Sequence, residues 1–478
     1  MAVGSSNDFD LVVLGAGTGG YTAAFRAAQL GLKVALVDED KIGGTCLHRG
    51  CIPTKALLES AAFADHVRHA KDFGLTLPGE ATIDYAAMAA RRDAVVKRMW
   101  TGLKTLVTKN KVTWIDGRGR LDGPNKVRVS QPGENGKAGG ERVLQATDVI
   151  LATGSRVKSL PGLKPDGKRI VTSDDILRAD TLPKDIVIVG AGAVGVEFAS
   201  MFADVGVGVT LLEYLPRIVP LEDVDVSTLV QRSFERRGIT VVANARFDAA
   251  SVTSDKDGIC VMVGPDGKEP QEVRAELMLV AAGRAANVEG IGLETTKVET
   301  DRGVVKVNGR MRTKEPHVYA IGDLIGGLWL AHTAAHEGLI AAHTIAGDAD
   351  VHDMDYTRQP RATYCRPEIA SIGLTEEQVK EAGTPYKVGK VPFQAIAKAI
   401  IVGEHEGFAK VIAHAENQDT LGVHVVGPHA TDLIAEASLA FELDATPWEI
   451  GGATHPHPTL SEVIGEAAMA VDGRSINF

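Results

Sequence analysis

Residues 10–20 read DLVVLGAGTGG, an apolar run of strand length that passes directly into three glycines at positions 15, 17 and 20. YTAAFRAAQLG (21–31) follows with the spacing of a helix, and LKVALVD (32–38) is a second strand-like run that ends on Asp38. Strand, glycine turn, helix and strand, with a carboxylate about 20 residues beyond the turn, is the pattern of a dinucleotide-binding βαβ unit. Each glycine has its own task there. Gly15 permits the tight turn, Gly17 lets the backbone approach a pyrophosphate, and Gly20 lets the helix lie on the strand. Amides exposed at the start of the helix then attract the phosphates.

A second copy confirms the architecture. IVIV (186–189) leads into GAGAVG, where Gly190, Gly192 and Gly195 repeat the spacing, VEFASMFADVG continues as a helix, and VTLLE ends on Glu213. The sequence therefore predicts an α/β protein with two doubly wound dinucleotide-binding domains. Asp38 and Glu213, at the ends of the second strands, can each accept a hydrogen bond from a ribose 2′-OH and would repel a 2′-phosphate. Glu213 is followed by Tyr214 and Leu215, with no arginine until Arg217, which favours NAD over NADP at the second site.

Composition bounds the remaining possibilities. A chain of 478 residues implies two to four domains. A net charge of −11 without a basic cluster argues against a nucleic-acid partner. MAVGSSNDF (1–9) lacks the positive start and apolar run of a secretory signal, and no apolar stretch approaches the ~20 residues of a membrane span, so a soluble, cytoplasmic protein is expected. Helices are expected over 56–72 and 83–110. Short strands are expected over 111–150, with turns at DGPN and GENGKAGG, and further strands over 240–282 ending at LMLVAAGR. Beyond a polar boundary at GDADVHDMD, the segment from 353 onward mixes strand and helix without a glycine fingerprint and reads as a separate final domain.

Only four cysteines occur, and two of them, Cys46 and Cys51, stand five positions apart in GGTCLHRGCIPTK (43–55). Metal binding would need further ligands; His48 lies between the pair, yet Cys260 and Cys365 sit in unrelated contexts, so no metal is expected. A pair of buried, inert thiols is a second reading. The third is a redox-active disulfide: an extended start followed by a helix brings positions i and i+5 within disulfide reach, and a helix N-terminus holds a sulfur as thiolate.

GGTCLHRGCIPTKALL resembles the active-site helix of the flavoprotein disulfide reductases (the class I pyridine nucleotide-disulfide oxidoreductases), and among them is most similar to that of the dihydrolipoamide dehydrogenases. The resemblance covers nearly the whole chain, through GAGTGG, ATGS (152–155), GAGAVGVE, AAGR (281–284), AIGD ending at Asp323, LAHTAAHEG (330–338) and HPHPTLSE (455–462). It implies an FAD-binding domain over 1–156, an NAD-binding domain over 157–283, a central domain over 284–352 that completes the FAD site, and an α+β dimerisation domain over 353–478. At the FAD site it places Gly15, Gly17, Gly20, Thr153 and Gly154 in the glycine turn and ATGS, and Asp38 at the adenosine ribose, where the family usually has Glu. Thr45 and Lys55 fall beside the flavin, Gly119 in the adenosine region, Asp323 at the ribityl chain, and Ala331 among the backbone contacts to the flavin. At the NAD site it places Gly190, Gly192, Gly195, Glu197 and Glu213, with Gly283 on the nicotinamide path and Phe247 on a strand that aligns more loosely.

The resemblance also implies the chemistry. Cys46 matches the interchange thiol that forms a mixed disulfide with substrate, and Cys51 the charge-transfer thiol against the isoalloxazine. His457 matches the base that deprotonates dihydrolipoamide, and Glu462 the carboxylate that orients it, the pair reaching the disulfide of the opposite subunit of a homodimer. The His457–Pro458 bond is expected to be cis. His455 reads as structural or as a neighbour of the substrate channel. Departures are His48, Arg49 and Thr54, where CLNVGCIPSK is common; HRG also resembles the soluble pyridine nucleotide transhydrogenases, which typically lack the second cysteine. Glutathione reductases, nearer to CVNVGCVPKK and with Arg at the position of Glu213, fit less well. The expected function is NAD+-dependent oxidation of dihydrolipoyl groups carried by the lipoyl domains of 2-oxoacid dehydrogenase complexes or of a glycine cleavage system. A flavoprotein reductase of another disulfide or of quinones, or a pyridine nucleotide transhydrogenase-like enzyme, is the alternative. A non-catalytic scaffold on a lipoyl-bearing complex is the alternative class, and the intact dithiol, base and two nucleotide motifs argue against it.

Overall fold

A computed structural model describes residues 8–79, 81–131, 133, 139–265, 267 and 269–478; the first seven residues and most of the GENGKAGG turn lie outside them. In chain order the first elements are β1 (Phe9–Leu14), α1 (Thr18–Gln29), β2 (Val34–Asp38), α2 (Gly44–Arg49), α3 (Cys51–Arg68), α4 (Tyr85–Lys109), β3 (Thr113–Asp116), β4 (Arg118–Leu121), β5 (Lys126–Ser130) and β6 (Glu141–Leu151). The chain divides into two units, each assembled from discontinuous segments: the segment to Pro53 with Ala90–Lys158 and Arg284–Asp355, and Thr54–Ala89 with Ser159–Gly283 and Tyr356–Phe478.

In the first unit β1 lies between β2 and β6, parallel to both, with Leu11 opposite Val34 and Val12 opposite Val149. β3 extends the sheet beyond β2, and Val318–Ala320 pairs in parallel with β6 on the far side. β4, β5 and the first half of β6 form an antiparallel meander whose first turn is DGPN. Strands buried on both faces need cover on both. Leu11 and Val13 pack towards the alanines of α1 and the helix Ala331–Ala346, whereas Val12 and Leu14 pack towards Leu121, Val127 and Leu144 of the meander. Small residues let the helices meet: a Cβ at Gly338 would stand 2.6 Å from the Gly19 carbonyl oxygen.

The second unit contains a five-stranded parallel sheet in the order Thr240–Val242, Gly208–Leu212, Asp185–Val189, Leu277–Val280, Ile170–Val171. An antiparallel sheet built on Gly258–Pro265 is inserted before the parallel strand Leu277–Val280, and a five-stranded antiparallel sheet with the helices Ala430–Glu442 and Glu462–Ala470 forms the C-terminal part. Among the described residues no helix is long and apolar enough to cross a membrane.

Two expectations about local structure change. The segment carrying Cys46 is the helix α2 rather than an extended start, because Gly43 and Gly44 take left-handed φ of 113° and 57° and turn the chain straight into a helix. The helix expected over 56–72 begins earlier, at Cys51, and ends at Arg68 before a 3₁₀ turn, Ala70–Phe73.

Candidate active site

The two glycine turns have the same construction. Gly15 has φ 104°, and a Cβ there would lie 2.2 Å from the Ala152 carbonyl oxygen; a Cβ at Gly20 would lie 1.9 Å from that of Gly15. At Gly17, in contrast, a Cβ would meet nothing within 4 Å. In the second turn Gly190 has φ 100°, a Cβ at Gly195 would lie 1.8 Å from the Gly190 oxygen, and Gly192 again faces open space. The outer glycines are thus demanded by the fold, whereas the middle ones clear room for something outside it. Gly17 and Gly192 are the N-caps of their helices, neither helix has a side-chain cap or an acid in its first turn, and both present backbone donors to that room. These cradles fit the pyrophosphates of two dinucleotides.

The acid of each unit is tied to its turn. Asp38 Oδ2 accepts from the Ala16 amide at 2.6 Å and Oδ1 from the Asp40 amide at 2.9 Å; burial pushes its carboxyl above the ordinary value against those two bonds. Glu213 Oε2 accepts from Ala191 at 2.7 Å and Oε1 from Leu215 at 2.9 Å. Each carboxylate keeps lone pairs for a ribose hydroxyl while holding the turn in register. Gly119, on β4, is held to glycine by packing, since a Cβ would come 2.6 Å from Leu14 and 3.1 Å from Val37.

The two thiols follow the first cradle closely. The Gly43 amide donates to the Ala16 carbonyl at 2.8 Å, and a Cβ on Gly44 would stand 2.6 Å from the Gly17 Cα, so the turn carrying Thr45 and Cys46 is packed on the phosphate loop. Cys46 lies in α2, Gly50 breaks the helix at φ −145° and ψ −111°, and Cys51 opens α3; both cysteines are half-buried. Burial raises the pKa of the neighbouring Tyr21 hydroxyl against a Thr18 hydrogen bond, and the nearness of the two cysteines adds to the rise. His48 turns to the Ile42 carbonyl at 2.9 Å and stands edge-on to Trp100, while Arg49 pairs with Asp40 at 3.4 Å.

The other side of the first cradle is closed by residues far along the chain. Thr153 and Gly154 are clamped by Asn287, whose Nδ2 donates to the Thr153 carbonyl at 2.9 Å and whose amide donates to that of Gly154 at 2.9 Å. Asp323 accepts from the Ser155 hydroxyl and lies 3.7 Å from Arg284, which also donates to Ser155 at 2.6 Å. Ala331 is the first residue of its helix, after an uncapped N-terminus at Leu330.

In the second unit a cavity of about 680 Å³ is lined by Gly190, Gly192, Glu213, Phe247 and Gly283 from the anticipated set, together with Tyr214 and Arg246. Gly195 supports the turn from below, against the Gly190 carbonyl. Glu197 is buried and binds Lys55, whose Nζ lies 2.8 Å from both carboxylate oxygens; Tyr364 donates its amide to Glu197 at 3.0 Å and sets its ring 4.6 Å from Lys55 Nζ. Lys55 and Glu197 therefore form one couple.

The HPHPTLSE motif brings its members together. His457 Nδ1 is 2.8 Å from Glu462 Oε1, and Glu462 Oε2 accepts from the Thr459 amide at 2.9 Å. Burial alone would raise the Glu462 carboxyl, but the His457 and Thr459 bonds hold it below the ordinary range. Glu462 is 19% exposed and His457 72%, so with Nδ1 engaged the imidazole presents Nε2 outward. The His457–Pro458 bond is cis, as is Arg366–Pro367, which nothing in the sequence signalled. His455 is held in place: its Nε2 lies 2.8 Å from Glu436, the bond that raises its pKa, and its ring lies against Gly465. The described residues contain no group of three or more His, Cys, Asp or Glu arranged for a metal ion.

Asn287, Tyr364 and Arg246 escaped sequence reasoning, whereas Ser155 closes the ATGS motif. Asn287 and Tyr364 sit in no motif, and their partners lie 134 and 167 positions away.

Comparison with known proteins agrees with this geometry. Residues 9–338 match the model of the pyridine nucleotide-disulphide oxidoreductases, and residues 359–468 match the dimerisation domain of the same family. Dihydrolipoyl dehydrogenase of Bacillus subtilis is 48% identical over 99% of this chain and 100% of its own length. The mitochondrial dihydrolipoyl dehydrogenase of Pisum sativum is 40% identical over 99% of this chain and 93% of its own. The crystal structure of LpdA from Mycobacterium tuberculosis superimposes with a TM-score of 0.88 at 29% identity, covering 96% of this chain and 98% of that one. With its two cradles, its paired thiols and its imidazole–carboxylate couple, this chain belongs to the pyridine nucleotide-disulphide oxidoreductases and, within them, to the dihydrolipoyl dehydrogenases.

Proposed function

We propose that the protein oxidises dihydrolipoyl groups with NAD+ as a homodimer, in the net reaction dihydrolipoamide + NAD+ → lipoamide + NADH + H+. The observation that carries the reading is the exposed His457 held at 2.8 Å by Glu462, an imidazole oriented to take a proton from an incoming thiol. His457 Nε2 takes the proton of one dihydrolipoyl thiol, and Glu462 stabilises the imidazolium. The resulting thiolate attacks Cys46 of a Cys46–Cys51 disulfide, a mixed disulfide forms at Cys46, and Cys51 leaves as thiolate. The second dihydrolipoyl thiol then displaces Cys46, its proton passing to the Cys46 sulfur, which releases lipoamide and leaves the reduced pair as Cys46 thiol and Cys51 thiolate with one proton on His457. FAD bound in the first cradle supplies the two-electron relay from that dithiol to NAD+. The chain holds it through Gly17, Asp38, Thr45, Thr153, Gly154, Asp323 and the helix beginning at Ala331, and it fixes a cation, Lys55, with Glu197. Gly192, Glu213, Phe247 and Gly283 hold NAD+ in the second cavity.

The domain assignment that follows is FAD-binding over 1–156, NAD-binding over 157–283, central over 284–352 and dimerisation over 353–478. Lipoyl domains of a 2-oxoacid dehydrogenase complex or a glycine cleavage system are the partners, in the cytoplasm. His457 of one subunit serves the thiols of the other. Mixing His457→Gln with Cys46→Ser homodimers tests this, because each heterodimer combines one doubly altered site with one intact site. Activity should reappear after subunit exchange; heterodimers that form and stay inactive place the base within the same subunit.

A further inference from the structure

Arg246 stands in the wall of the second nucleotide cavity, 33 positions after Glu213 and outside every motif. The strand Ala245–Phe247 brings it there: the Ala245 amide donates to the Glu213 carbonyl at 2.7 Å, so the two segments run side by side. The Arg246 guanidinium carbon lies 3.9 Å from the centre of the Tyr214 ring, and Nη1 donates to the Tyr214 carbonyl at 2.7 Å. Tyr214, 66% exposed, is the residue next to Glu213, so a stacked cation and a carboxylate border the same end of the cavity. Arg217, the arginine nearest in sequence, is committed elsewhere, both of its terminal nitrogens lying 2.7 Å from the carboxylate of Glu377.

In a βαβ nucleotide site the acid at this strand end meets the adenosine ribose, and an arginine beside it accommodates a 2′-phosphate. Resting on the NAD reading of this cavity, we propose that Arg246 is a latent 2′-phosphate-recognition residue, kept silent by the Glu213 carboxylate that borders it. The guanidinium is already oriented by its stack and its Nη1 bond, so little ordering remains to be done when a phosphate dianion arrives. With the carboxylate present, that dianion meets a like charge beside the cation; with it gone, charge-assisted hydrogen bonds to Arg246 prevail.

The experiment measures the ratio of kcat/KM for NADP+ to that for NAD+ in the holoenzyme, with competitive binding of adenosine 2′,5′-bisphosphate against 5′-AMP as a readout independent of turnover. Glu213→Ser should raise both ratios by about thirtyfold or more, and Arg246→Ala added to it should cancel most of the gain, on the scale of one hydrogen bond to a charged group. A gain of equal size with and without Arg246, or no gain at all, overturns the proposal. Glu213 also anchors two backbone amides, so Arg246→Glu in the parent chain provides a second test that leaves those bonds in place. It should lower both ratios by about tenfold, and unchanged ratios overturn the proposal. A parent enzyme that binds 5′-AMP but fails to reduce NAD+ would instead refute the catalytic reading, and the two nucleotides would still test Arg246.

Discussion

Replacing Gly192 and Gly195 by alanine, three residues apart in one turn, should produce two different failures. At Gly195 the new Cβ would be placed 1.8 Å from the Gly190 oxygen, well over 1 Å inside the 3.0 Å that Cβ atoms ordinarily keep. The obstacle is backbone, so the helix Ala193–Asp204 must move off the strand Asp185–Val189. The cost is about 3 kcal/mol, the upper range for overpacking, or about 6 °C in a unit of this size. At Gly192 the backbone, with φ −73° and ψ −173°, suits any residue, and a Cβ meets nothing within 4 Å. Stability should be unchanged, but the methyl occupies the space a pyrophosphate must enter. Loss of one charge-assisted bond there is worth about 2 kcal/mol, or about thirtyfold in KM for NAD+. Thermal denaturation by circular dichroism, steady-state KM for NAD+, and reduction of bound flavin by dihydrolipoamide separate these effects. Gly192→Ala should keep its Tm and its dithiol half-reaction while losing NAD+ affinity. A Tm that falls as far as that of Gly195→Ala, or an unchanged KM, would refute the division of labour between the two glycines.

His457→Gln should slow dihydrolipoamide oxidation by about 100-fold and Glu462→Gln by about tenfold, while hydride transfer from NADH to an artificial acceptor, which needs no thiol base, persists in both; loss of that transfer would point to misfolding. Lys410, 1% exposed, is bound at 3.0 Å by the fully buried Asp223 and by Asp225 and Glu376, and Lys410→Met should cost about 3–5 kcal/mol in urea denaturation at pH 7. Against the opposing effect of burial, Asp223 and Asp225 are held below the ordinary carboxylate value and Lys410 above the ordinary lysine value. The carboxylates' contribution is therefore full above their ordinary value and fades as pH falls through the depressed one. That of Lys410 is full below its ordinary value and fades only as pH rises through the raised one. The cost of Lys410→Met should shrink as pH falls and the stranded Asp223 takes up a proton, and a pH-independent cost would contradict this account. Gly338→Leu should loosen flavin retention on gel filtration, because its Cβ meets the Gly19 carbonyl at 2.6 Å. Gly102→Ala, in α4 with nothing within 4 Å, should instead stabilise by about 0.5–1 kcal/mol.

The parts of this molecule that were legible from sequence are those whose physical demand is local. A tight turn with φ near 100° at Gly15 and Gly190 must be glycine, and the acid closing the next strand follows at a distance fixed by the helix between. His457 and Glu462 are five positions apart and needed only one turn of chain to meet. What stayed hidden is pairing across long separations. Lys55 and Glu197 were both noted, but 142 positions apart nothing in either segment showed that they form one couple with Tyr364. Arg246 arrives at Glu213 by strand pairing, and the nearer Arg217 drew attention although it is turned to Glu377. The Cys46 segment differs from the extended start its sequence suggests for a local reason: two consecutive left-handed glycines start a helix at once, and glycines in a sequence do not declare the sign of their φ.

The first nucleotide-binding unit is sewn from three lengths of chain, and its order of manufacture matters. β6 is complete at Leu151, but the strand that covers its outer edge, Val318–Ala320, and the helix that presses on Gly19 come some 170 residues later. At about 5–20 residues per second of synthesis, a ribosome leaves that edge uncovered for roughly 10–30 seconds. For most of that interval the phosphate loop lacks Arg284 and Asn287, for all of it Asp323, and the edge of β6 stands open to other chains. The flavin site of the first unit is therefore complete only after synthesis has passed through Ser159–Gly283 of the second.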